Sequence, residues 1–145
     1  MEPFPHHYRV AANGKPTGSI TCQNEQGVDL PVNSPRQFGG EGEDWSPEHL
    51  LSASVVSCFI LTFRAVAAAS RLDWSSIACD IEGTLDKVDR RMAFSGFKLG
   101  VTLTVPTGVD EERALKALAK AEANCLVTNS LICPVRLDPK LLVDG

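Results

Sequence analysis

The chain has no C-x-x-C pair, although it holds five cysteines: Cys22, Cys58, Cys79, Cys125 and Cys133. That absence excludes a zinc ribbon or a thioredoxin-type motif, and an odd count at wide spacings does not describe a disulfide framework. There is no phosphate-binding glycine loop and no GxGxxG opening a helix after a strand, so no nucleotide cofactor is expected. No nucleophile elbow supports serine hydrolase chemistry. His6, His7 and His49 match no ligand spacing with the cysteines, so no metal is expected. Basic residues are too few for nucleic acid: 14 Lys and Arg stand against 18 Asp and Glu, a net charge of −4, whereas phosphate backbones require a basic surface. Residues 1–7 lack the basic start and apolar run of an export signal. The expected compartment is the cytoplasm, where thiols stay reduced.

What is present fits one globular domain, residues 1–145, with 43% apolar and 22% charged residues. Residues 50–69 form the one long apolar run. Ser52, Ser54, Ser57, Thr62 and Arg64 interrupt it, and an arginine at mid-span is costly in lipid. A core helix, buried nearly all round, is expected rather than a membrane partner.

Residues 8–12 and 18–22 read as strands across an Asn13-Gly14 turn. Residues 28–32 read as a third strand, placed at an edge by Pro31. A loop with Gly39, Gly40 and Gly42 follows. Ser46 and Pro47 then read as the N-cap and first residue of a helix running to about Ser70, with Glu48 in its first turn. Alternating apolar and polar residues make strands of 77–85 and 97–105, joined by a charged connection at 86–91. Residues 110–124 carry an apolar stripe of Ala114, Ala117, Leu118 and Ala121 at helical spacing. A short helix from Cys125 and a last strand at 134–138 complete an α+β pattern.

Cys58 lies twelve residues beyond the N-cap, roughly 18 Å along the helix. The helix dipole fades within the first turn, so the helix cannot activate this thiol. A cation that reaches it is one way to do so. Arg36 precedes the glycine-rich loop, and a guanidinium stabilises both a thiolate and a developing oxyanion. Glu48 can hold such an arginine in a bidentate pair. Glu48 and Cys58 are ten residues apart, about 15 Å on one helix. Either Arg36 spans that gap or a second chain completes the site, and an almost wholly apolar helix in so small a domain favours a dimer. Each residue also has a plain reading: a buried thiol, a solvated arginine, an acid favoured by the dipole. Cys125 stands near a helix start, which is expected to favour its thiolate. Cys22 and Cys79 read as sheet residues, and Cys133 has no assigned role.

Arg36, Phe38-Gly39-Gly40-Glu41-Gly42, Ser46-Pro47-Glu48-His49-Leu50-Leu51 and Cys58 together resemble the motif of the OsmC/Ohr family, the osmotically inducible and organic hydroperoxide resistance proteins. The segment 85–89 and the helix before Cys125 are also similar. The resemblance implies an α+β fold, an intertwined homodimer and a thiol peroxidase with its sites at the dimer interface. By motif, Cys58 matches the peroxidatic cysteine, Cys125 the resolving cysteine, Glu48 the acid and Arg36 the arginine of the OsmC branch. The family often has Cys-Pro-Val-Ser at the second cysteine; here it is Cys125-Leu126-Val127-Thr128. The implied substrate is an organic hydroperoxide, with Phe38 and Phe59 favouring alkyl groups, and the implied reductant is a dihydrolipoyl-type dithiol. A non-catalytic dimer of this fold, and a redox- or metal-sensing thiol protein, are the other classes the residues leave open.

Overall fold

A computed structural model describes the whole chain, Met1–Gly145. It divides into two units, Met1–Leu50 and Leu51–Gly145.

In the first unit the turn-and-strand pattern becomes a three-stranded antiparallel sheet, β1 (Val10–Asn13), β2 (Ile20–Asn24) and β3 (Asp29–Val32), with β2 central. β1 ends at Asn13 and β2 begins at Ile20, so residues 14–19 form the connection. The strands lie about two residues later than the Asn-Gly signal implies. Pro31 does sit on an edge strand, opposite Thr21, where its missing N–H costs no ladder bond. After β3 the chain makes one 3₁₀ turn, Arg36–Phe38, closed by Gly39 in the left-handed region. The loop is drawn shut by Asn33, whose N–H donates to the Trp45 carbonyl at 2.9 Å. At Gly40 a Cβ would stand 1.7 Å from the Ser34 carbonyl oxygen, so the chain can fold this tightly only with glycine there.

Helix α1 (Pro47–Ala69) starts at the expected cap. Ser46 is buried, and its hydroxyl accepts from the His49 N–H at 3.1 Å, satisfying one of the amides a helix start leaves without a partner.

The second unit holds a three-stranded sheet, β4 (Ser76–Val88), β5 (Arg91–Pro106) and β6 (Val135–Asp144), with β5 in the middle. β4 and β5 form one long antiparallel hairpin. The charged connection shrinks to Asp89 and Arg90, both at positive φ, because the ladder continues through Lys87 and Val88. β6 runs parallel to β5 and is longer than the five residues expected. A parallel return needs a crossover. Helices α2 (Glu111–Asn124) and α3 (Leu126–Asn129) supply it. Asp110 caps α2 by accepting from the Glu112 N–H at 3.0 Å.

Every second residue of β5, from Phe97 through Leu99, Val101 and Leu103 to Val105, is buried, the period of a sheet with one covered face. The Ala114, Ala117, Leu118 and Ala121 stripe of α2 packs there. So do Phe59, Phe63 and Ala67 of α1. Phe63 meets Trp74 edge to face, 5.3 Å between centroids.

The expectation that α1 is buried nearly all round needs correction. Only Val55, Phe59, Phe63 and Ala67, one stripe at i, i+4 spacing, are buried. Leu61 is 58% exposed. One sheet covers one side of a helix, and a single chain supplies nothing for the other side.

Candidate active site

The second unit brings Cys58 and Cys125 together. Cys58 lies on α1, one turn before Thr62, with its sulfur 3.9 Å from the Thr62 hydroxyl. Cys125 ends α2 and holds the N-cap position of α3 in an extended conformation; its thiol is buried and close enough to Cys58 that each thiol shifts the ionisation of the other. Both cysteines are free.

The two thiols are driven in opposite directions. Burial pushes the Cys58 pKa up, but the Val127 N–H, the Cys125 thiol, the Thr62 hydroxyl and the Leu126 N–H all donate toward its sulfur, and the net shift is downward. Burial also raises Cys125; Thr128 opposes this in part, while the hydrogen bond to Cys58 and its charge add to the rise. Hydrogen bonds to a charged form favour that form, so the thiolate is easier to form at Cys58 than at Cys125. This corrects the reading that a helix start favours the Cys125 thiolate.

Arg36 and Glu48 belong to the first unit. The arginine stem lies over Gly42: a Cβ at that position, which has φ +77°, would stand 2.2 Å from Arg36 Nε. Arg36 makes no ion pair within the chain; the salt bridge present is Arg9–Glu25 at 4.0 Å. Glu48 lines a pocket of about 260 Å³ with Ile20, Val32, Pro35, Phe38 and Pro47, and its Oε2 is sealed from solvent. Phe59, expected as a wall near the thiol, is only 1% exposed and belongs to the core. Phe38 is half-exposed. Cys22 and Cys79 fall on β2 and β4 as expected. Burial, aided by the Asp80 charge, pushes Cys79 up to about 11.

Thr62, Leu126, Val127 and Thr128 were not among the residues singled out from sequence. Thr62 carried a readable signal, its i+4 position from Cys58. The α3 amides carried none, since main-chain donors have no side-chain signature.

A family model described as OsmC-like protein matches residues 40–140. The chain belongs to the OsmC-like family. An organic hydroperoxide resistance protein of Xanthomonas axonopodis pv. citri is 27% identical over 126 residues, 85% of this chain and 84% of that protein. Among solved structures, an OsmC-like protein of unknown function from Vibrio cholerae has a TM-score of 0.84 at 17% identity, covering 93% of this chain and 99% of that one. An organic hydroperoxide resistance protein, OsmC, from Legionella pneumophila has a TM-score of 0.69 at 26% identity, covering 96% and 98%. These likenesses establish the α+β OsmC-like fold.

Proposed function

We propose that this OsmC-like protein acts in resistance to organic hydroperoxides, as a thiol-dependent peroxidase. The observation that carries the proposal is the pairing of Cys58 with Cys125, which lowers the pKa of the first thiol and raises that of the second. That is the division of labour a two-cysteine peroxidase needs. The names of the hydroperoxide resistance relatives support the substrate class.

In the proposed cycle the Cys58 thiolate attacks the distal oxygen of ROOH. The O–O bond breaks, the alkoxide leaves as ROH after taking a proton, and Cys58 becomes a sulfenic acid, oxidised by two electrons. The Cys125 thiol, as thiolate, then attacks the sulfenic sulfur, forming the disulfide and releasing water. An external dithiol, of the dihydrolipoyl type, reduces the disulfide by two exchange steps and leaves as its own disulfide. Arg36, steadied by Glu48, would stabilise the charge developing on oxygen. Its place before the Gly42 turn and the lack of an ion pair within the chain agree with a site closed by a second copy, a homodimer. The two units would then work as one OsmC-like domain, in the cytoplasm.

Thiol titration before and after one equivalent of tert-butyl hydroperoxide tests this. Two thiols per chain are expected to disappear, and Cys58→Ser is expected to abolish peroxide consumption. Unchanged turnover in that variant would overturn the reading and leave a ligand-binding dimer as the better account.

A further inference from the structure

A hydroxyl inside a helix ordinarily turns back on a carbonyl one turn earlier. Serines on and just after α1 do so. Ser54 donates to the Leu51 carbonyl at 2.7 Å, Ser57 to the Ala53 carbonyl at 2.6 Å and Ser70 to the Val66 carbonyl at 2.9 Å. Thr62, on the same helix, does otherwise. Its hydroxyl meets the Cys58 sulfur at 3.9 Å and no main-chain carbonyl. The spacing explains the meeting. Residues four apart share a helix face, and each side chain leans toward the N-terminus, so Thr62 reaches back over Cys58. A branched Cβ leaves Thr62 few rotamers. Both residues are half-buried, so water competes only in part for the contact. Sulfur draws a hydroxyl weakly as thiol and strongly as thiolate. A hydroxyl serves both states: it accepts from the S–H, then turns its own proton toward the sulfur once that proton has gone.

We infer that Thr62 is a positioning residue for Cys58, its hydroxyl spared from the helix backbone so that it follows the sulfur from thiol to thiolate and holds the charged form in place. Its part in turnover rests on the peroxidase reading; the hydrogen bond does not. The lowered Cys58 pKa, to which the Thr62 hydroxyl contributes, agrees with this role. The titratable group that bears on Cys58 is Cys125. It follows α2 and does not lie on α1, so mutation separates the two influences.

The experiment titrates Cys58 by iodoacetamide labelling against pH, read by peptide mass spectrometry, in wild type and Thr62→Val. Valine keeps the branched shape and removes the hydroxyl. Its Cys58 midpoint should lie about half a pH unit higher, with about threefold less thiolate below it. Hydroperoxide turnover in the variant should be reduced below that midpoint and approach wild type above it, a displaced pH profile that a loosened structure does not produce. The same shift should appear when Thr62→Val is added to Cys125→Ala, because the hydroxyl acts on the sulfur directly. Equal midpoints in wild type and a folded Thr62→Val would overturn the inference, and so would a shift that vanishes without Cys125. Should the valine variant not fold, Thr62→Ala removes the same hydroxyl with a residue that favours helix, and it carries the same expectation. A wild type that consumes no hydroperoxide would remove the peroxidase reading, while the labelling midpoints would still report on Thr62.

Discussion

At the scale of single residues, the cysteines differ in surroundings more than in sequence context. Cys58 is surrounded by donors, Cys125 is buried beside it, and Cys79 is raised to about 11. Labelling near neutral pH should therefore reach Cys58 first. Cys79, pushed up to about 11 by burial and the Asp80 charge, should present about a hundredfold less thiolate than an ordinary cysteine. Equal labelling of Cys58 and Cys79 at pH 7 would contradict these environments. The stability linkage has opposite signs at the two sites. A lowered Cys58 stabilises the fold at pH above the unfolded value, and that contribution disappears as pH falls through its folded value. A raised Cys79 favours the fold below pH 9, and its contribution is lost as pH rises from 9.0 toward 11. Denaturant midpoints between pH 8 and 11 should accordingly decline less in Cys79→Ala than in wild type. Cys125→Ala, which removes one donor to Cys58, should raise the Cys58 titration and leave a sulfenic acid that dimedone can trap after peroxide.

At the scale of elements, Phe63 anchors α1 to the sheet. It is fully buried and meets Trp74 edge to face, so Phe63→Ala should cost about 3–5 kcal/mol of stability by denaturant titration. Gly42→Ala acts differently. Its φ of +77° and the Arg36 stem against it mean about 1–2 kcal/mol of backbone strain and a displaced arginine. Turnover should fall while the Cys58 titration stays in place, and a shifted titration would place Arg36 among the groups that set the thiolate. The legible elements were those with local causes. Ser46-Pro47 marked the start of α1 because capping is a matter of adjacent residues, and the α2 stripe followed from spacing alone. What was not legible depended on distant partners. The reach of β4 and β6 is set by the ladders to β5, and Cys58 nears Cys125 only because α1 and α2 pack on one sheet.

At the scale of the molecule, α1 is apolar along 23 residues, yet only 22% of its most apolar window is buried within the chain. Burial of such a face against a second copy is the proposed arrangement, and it would also bring Arg36 and Glu48 to a shared site. A native mass near twice 15.6 kDa is expected by light scattering. Leu61→Glu, on the exposed side of α1, should shift the protein toward monomer and lower turnover together. A variant that remains dimeric and fully active would show that the interface lies elsewhere. The sequence carried this in part, through a helix more apolar than a single chain of this size can cover.

The central claim is that Cys58 and Cys125 form one redox pair. Peptide mapping without reductant, after one equivalent of tert-butyl hydroperoxide, tests it most directly. The account predicts a Cys58–Cys125 disulfide within one chain, with Cys22, Cys79 and Cys133 still free. A protein that keeps all five thiols, or whose disulfide excludes Cys58, would contradict it.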